Sequence, residues 1–132
     1  MGRNSLFPFT RRFWEIQNVR IIRFFPLILY YGLIFYLSSQ SPGKPIPFPF
    51  ADKIIHFILY IPLGVAGGFA FHGIRREKII LICLLFAILG IADELHQSFV
   101  PMRKAEILDA IMDFAGSMTG FLVYYFRNDS NK

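Results

Sequence analysis

An all-α integral membrane protein, a four-transmembrane-helix bundle with both termini cytoplasmic, is the fold class this sequence predicts. Three observations lead there. The 132 residues are 55% hydrophobic, with 16 Phe, a figure that alone decides little against the about 45–50% of an ordinary soluble domain and gains its weight from the arrangement. They fall into four blocks close to the roughly 20 helical residues that span about 30 Å of hydrocarbon. Lys and Arg gather at the block ends on one side, as topology determinants do. One domain is expected, with no soluble appendage.

The elements follow in order. Residues 1–20 carry Arg3, Arg11, Arg12 and Arg20 among Phe7, Phe9, Phe13 and Trp14, a basic aromatic segment suited to the membrane surface. The membrane domain is expected over 21–127 and a polar tail over 128–132. Its first helix, about 22–39, contains "FFPLILYYGLIFYLSS", with Pro26 in the first turn, where proline is tolerated. Bulky aromatics and the lack of a small-residue cleavage site favour a retained anchor over a signal peptide. Pro42, Pro45, Pro47 and Pro49 then make an extended connector. Helices at about 53–73, 78–98 and 106–126 complete the bundle. Pro62 marks a candidate kink, and breaks fall at "IRREK" and Pro101. Cys83 has no disulfide or metal-ligand spacing and reads as a small apolar filler.

The net charge of +5 is distributed as a topology pattern, so no nucleic-acid partner is expected. Ten Lys/Arg lie in the N-terminal segment, the "IRREK" loop and the tail. Lys44, Lys53, Arg103 and Lys104 lie on the other side. Positive charge marks the cytoplasmic side, which turns the proline loop and the "FVPMRKAE" loop outward.

That topology collects the ionisable residues. Lys53 and His56 begin the second helix, Glu94 and Gln97 end the third, and Asp109 and Asp113 begin the fourth. Asp109, Asp113, Gly116 and Gly120 form one stripe at helical spacing, and Lys53, His56, Tyr60, Gly64 and Gly67 form a matching one. Gly64, Gly67, Gly116 and Gly120 let helices approach closely, which aims the acids into the bundle rather than into lipid. Carboxylates inside a membrane are costly unless paired, hydrated or used. Lys53, His56, Tyr60, Glu94, Gln97, Arg103, Asp109 and Asp113 are therefore the candidate binding residues, with His56, Glu94, Asp109 and Asp113 as candidates for acid–base catalysis. His56 and Glu94 with Asp109, or with Asp113 in its place, form a candidate divalent-metal set; no other cofactor is indicated. Asp52, Asp93, His96, Lys104 and Glu106 read as interface or helix-locking residues.

At these residues the chain resembles the VanZ-like family of small membrane proteins, named for a component associated with teicoplanin resistance. The family pattern D-K-x-x-H-x-x-x-Y-x-x-L-G is matched by "DKIIHFILYIPLG" at Asp52, Lys53, His56, Tyr60, Leu63 and Gly64. A later part is matched at Glu94, Gln97, "FVPMR", Asp109, Gly116 and Gly120, with Met102 in place of a turn glycine and Asp113 in place of a frequent asparagine. The resemblance covers about residues 24–126. It implies a four-helix protein of the bacterial plasma membrane with a link to glycopeptide tolerance.

Three functions compete. One is an outward pocket that binds or shields a membrane lipid or a lipid-linked cell-wall intermediate, with Arg103 holding its phosphate or carboxylate. Another is a membrane enzyme, acid–base or metal-dependent, acting on a lipid-linked phosphate or ester; the absence of H-E-x-x-H and G-x-S-x-G motifs weighs against it. The last is a proton-coupled transporter, which four helices without an inverted repeat serve only as a homo-oligomer.

Overall fold

In the computed structural model, residues 20–41 and 48–128 are described. Residues 1–19 of the expected surface segment, the centre of the proline loop (42–47) and the end of the tail (129–132) lie outside the described residues. The elements are α1 (Phe25–Ser38), α2 (Ala51–Ala70), a 3₁₀ turn (Arg76–Lys78), α3 (Ile79–Gln97) and α4 (Ile107–Asn128), with no strand among the described residues. Four helical stretches, Arg20–Ser38, Ala51–Ala70, Arg76–Gln97 and Ile107–Asn128, are long and apolar enough to cross a membrane.

Local chemistry sets the ends. Pro26 sits in the first turn of α1, where its missing N–H costs nothing. Pro62 lies inside α2, and the helix runs on through it. Its ring leaves the Ile58 carbonyl without the usual donor. Asp52 and Asp109 occupy the first turns of α2 and α4, where negative charge suits the helix dipole.

The most extensive contact joins α2 and α4. It is a backbone-to-backbone approach. A Cβ added at Gly64 would lie 1.9 Å from the Ser117 carbonyl oxygen, one at Gly116 would lie 2.2 Å from that of Phe57, and one at Gly120 would lie 2.0 Å from that of Ile61. No side chain fits there, so glycine is required by space rather than by φ. Gly67 belongs to a different contact: its missing Cβ makes room for the Phe86 ring of α3. Ile82, Phe86, Phe121 and Tyr125 fill the space between α3 and α4.

Helix α1 is attached by other means. Leu27 and Ile34 pack on Tyr60, Leu63 and Ala70 of α2. The Tyr30 hydroxyl donates to the Leu59 carbonyl at 2.9 Å, and the Tyr31 hydroxyl to that of Leu89 at 3.0 Å. In an apolar surround a hydroxyl without an acceptor is costly, and these two bonds tie α1 to both neighbours. Residues such as Ile28, Leu29, Ile80, Leu84, Ile88 and Leu95 remain exposed on the outside, an apolar belt of the kind a lipid-facing surface requires.

Helix packing in lipid depends on close contact rather than on expulsion of water, so the glycine seam should be the mechanical weak point. Gly64→Ala is expected to lower the detergent-solubilised protein's thermal midpoint, with an overpacking cost of at least ~1–3 kcal/mol. Gly32→Ala should leave it unchanged, because a Cβ there meets nothing within 4 Å.

Candidate functional site

The close α2–α4 seam fixes a register, and that register pairs charges near the shared starting end of both helices. Lys53 Nζ lies 2.6 Å from Asp52 Oδ2 and 3.0 Å from Asp109 Oδ1, and also pairs with Glu106. The Asp109 contact is charge to charge rather than a well-directed hydrogen bond, for Oδ1 has no hydrogen-bond partner. One turn further into α2, His56 Nδ1 meets Asp113 Oδ1 at 2.8 Å and stands 3.8 Å from Glu94 Oε1.

Helix α3 brings the rest. Gly90 lets it close on α4, since a Cβ there would sit 3.2 Å from both the Ala110 carbonyl and Asp113 Cβ. One turn on, Asp93 and Glu94 are both turned inward, at 1% and 5% exposure. The Ser38 hydroxyl of α1 lies 2.6 Å from Asp93 Oδ1 and 3.0 Å from the Ile34 carbonyl. Its one proton is better spent on the charged acceptor. Gln97 Nε2 donates to Asp93 Oδ2 at 2.9 Å and to Glu94 Oε1 at 3.3 Å, while Gln97 Oε1 accepts from Arg103 Nη1 at 2.9 Å. The backbone N–H of Glu106, at the entry to α4, donates to Glu94 Oε2 at 2.9 Å, placing that carboxylate at a helix N-terminus, where the dipole favours it.

Arg103 is held by a turn. The Arg103 N–H donates to the Val100 carbonyl at 3.1 Å, Pro101 follows Val100, and Met102 has φ +67°. Proline second and positive φ third are the marks of a type II turn, which favours glycine at the third position. Met102 holds the positive φ that this turn type ordinarily gives to glycine. Arg103 Nε then donates to the Gln40 carbonyl at 2.9 Å, bridging to the end of α1.

Together these groups border a pocket of about 230 Å³ lined by Leu37, Ile55 and Leu59 and by Ser38, His56, Tyr60, Asp93, Gln97 and Arg103. Of the residues singled out in the sequence, His56, Tyr60, Gln97 and Arg103 form its wall. Glu94 and Asp113 contact His56 or Gln97 from behind. Lys53 and Asp109 make a separate, adjoining ion cluster, so Asp109 stands with the ammonium and Asp113 takes the place beside the imidazole. Tyr60 is fully buried in the core and lines the pocket, its hydroxyl without a hydrogen-bond partner. His96 lies apart, stacked on Phe35 and bonded to Ser39.

Two residues of the network were not singled out by sequence reasoning. Asp93, expected at the interface, is fully inside, because Gly90, Asp93 and Gln97 share a face of α3. That spacing was the available sign. Ser38 offered only its position four residues after buried Ile34. Chemically the site holds an imidazole oriented by a carboxylate, the arrangement of a positioned general base. No serine is paired with that base among the described residues: Ser38 is bound to Asp93, and the Ser117 hydroxyl is buried without a partner.

A four-span helical membrane protein with its buried acids gathered at one end of the bundle is the class that fold and site define. The chain belongs to the VanZ/LLP1 family, whose match covers residues 4–128. An uncharacterized protein of Schizosaccharomyces pombe is 25% identical over 100 residues, which make up 74% of this chain and 60% of that relative. The chain thus spans about 60% of the length of the curated relative it matches. No solved structure matches.

The turn at Met102 can be relieved. A non-glycine residue in the left-handed region costs roughly 1–2 kcal/mol, partly offset by the extra freedom glycine gives the unfolded chain. Met102→Gly is therefore expected to raise stability by up to ~1 kcal/mol, read as a higher thermal midpoint. Met102→Val, β-branched, should lower it.

Proposed function

We propose that this protein takes a phosphate-bearing lipid head group into the pocket at the polar end of the bundle and shields it, on the outer face of a bacterial plasma membrane. The observation that carries this reading is the two-sided lining: Leu37, Ile55 and Leu59 offer an apolar flank, while His56, Gln97 and Arg103 offer polar groups. A pocket of about 230 Å³ falls below the roughly 300–1,000 Å³ of sites that engulf a drug-sized ligand. It suits a head group whose acyl chains stay in the bilayer. Arg103 uses Nε and Nη1 on Gln40 and Gln97, so three of its five N–H donors remain for a phosphate.

The outward direction rests on charge. Arg20, Arg23, Arg75, Arg76, Lys78 and Arg127 lie at the end of the bundle away from the pocket, and positive residues favour the cytoplasmic side. A head-group shield there would lie where teicoplanin-type antibiotics meet membrane-anchored cell-wall precursors, and tolerance of such antibiotics is the proposed consequence. The His56–Asp113 pair on the pocket side also suits an acid–base enzyme acting on a lipid-linked phosphate or ester, and turnover of the bound lipid would identify that case.

Titrating the protein in detergent with short-chain phosphatidic acid tests the binding. Saturable heat is expected, with affinity at least about tenfold weaker for Arg103→Ala, the loss of one charge-assisted hydrogen bond. No heat, or an unchanged affinity in that variant, would count against the pocket. In a teicoplanin-susceptible bacterial host, expression should raise tolerance, and Arg103→Ala should abolish the gain at normal membrane yield. On a Cys83→Ala background, Lys104→Cys should react with an impermeant maleimide in intact cells and Arg75→Cys only after lysis. The reverse pattern would invert the topology.

A further inference from the structure

We infer that His56, Asp93, Glu94 and Asp113 form a buried site for a divalent transition-metal cation, such as Mn²⁺, Fe²⁺ or Zn²⁺. One donor atom from each lies within 4.8 Å of all the others. An ion with ligand bonds of about 2.1 Å holds tetrahedral ligands about 3.4 Å apart and opposite octahedral ligands about 4.2 Å apart, so a pair at the outer limit must draw in by roughly 0.6–1.4 Å. They come from three helices, and the set mixes one imidazole with three carboxylates. Carboxylates alone would suit Mg²⁺ or Ca²⁺, and the imidazole shifts preference toward the first-row transition metals.

The outer shell is already built. Ser38 and Gln97 hold the two oxygens of Asp93. The Glu106 backbone N–H holds Glu94 Oε2 and leaves Oε1 facing His56. Arg103 fixes Gln97 in turn. Such outer partners orient metal ligands and tune their affinity. The independent sign of a missing occupant is Asp113: the residue is 0% exposed, and its Oδ2 has no hydrogen-bond partner. An acceptor buried that deeply without a partner costs on the order of 1–3 kcal/mol, and a cation would remove the deficit. The pocket beside His56 and Asp93 gives an entry path.

A second acidic group in the same protein shows the contrast. Asp52, Glu106 and Asp109 are also close enough to share an ion, but the Lys53 ammonium contacts all three. That group has its cation. The His56 group has none but the imidazole and, through Gln97, the Arg103 guanidinium. A metal there would also offset the negative charge that three carboxylates present to an anionic ligand in the pocket. The metal site nonetheless stands whether or not the pocket binds lipid.

The test is metal content and rebinding on the full chain. Protein purified in detergent without chelator should carry about one equivalent of Mn, Fe or Zn per chain by elemental analysis. After chelator stripping, added Mn²⁺ or Zn²⁺ should raise the thermal midpoint. Asp113→Asn and Glu94→Gln should weaken rebinding at least tenfold, and Glu106→Gln, in the ammonium group, should not. Cobalt substitution should give visible d–d bands that His56→Gln alters. The inference is overturned by background metal only, with no thermal shift from either ion on the stripped wild type. It is equally overturned by Asp113→Asn or Glu94→Gln binding as wild type does. The wild-type titration decides even if a variant fails to fold. Arg103→Ala should lose lipid affinity but keep at least half of the bound metal, which separates failure of this site from failure of the lipid pocket.

Discussion

The approach of α2 and α4 to backbone contact is the constraint on which the rest depends. Gly64, Gly116 and Gly120 leave no room for a side chain between the two helices, so they cannot slide or rotate without collision. Both begin at the same end of the bundle, and the seam therefore sets the polar pairings between α2 and α4 above it. Lys53 falls on Asp109 and His56 on Asp113. A mobile contact would leave these charges to find partners by chance, in surroundings where an unpaired one is expensive. The glycines supply the rigidity and the polar residues use it.

Given that seam, each other element closes one gap. Gly90 lets α3 approach until Asp93 and Glu94 face inward. Ser38 at the end of α1 reaches Asp93. The turn at Pro101 and Met102 places Arg103 where it joins Gln97 to the Gln40 carbonyl. Backbone strain at a non-glycine residue persists only where the surroundings over-determine it, and here the tie lies between α1 and α3. The result is two adjoining polar groups of different character. One is filled by an ammonium, and the other borders a pocket with a buried oxygen still unpartnered. Function is expected at the second, because a saturated ion cluster offers a ligand nothing.

Much of this was legible in the sequence, for identifiable reasons. Hydrophobic blocks of bilayer length announce spanning helices, since in hydrocarbon the backbone must satisfy its own hydrogen bonds. The four-, three- and four-residue spacing of Asp109, Asp113, Gly116 and Gly120 places acids and glycines on one face. What stayed hidden was rotation and register. Asp93 and Glu94 are neighbours, about 100° apart on a helix, and pattern alone does not say that both turn inward. Gly90 against Asp113 decides it. Likewise Asp109 and Asp113 lie one turn apart, and only the fixed seam assigns the first to Lys53 and the second to His56. Gly67 shares a stripe with Gly64 yet serves Phe86 of α3, because the stripe is wide enough to meet two neighbours.

The central claim is that the seam brings the His56 ring and the Asp113 carboxylate into direct contact inside the bundle. Solid-state NMR on protein in lipid bilayers, with ¹⁵N-labelled histidine and ¹³C-labelled aspartate, measures that contact through dipolar dephasing. The Nδ1–Oδ1 distance of 2.8 Å predicts a His56 ring nitrogen within about 4 Å of the Asp113 carboxyl carbon, with the signal lost in Asp113→Asn prepared without label at that residue. A His56 nitrogen that shows no coupling to Asp113 in the intact, folded protein would contradict the account.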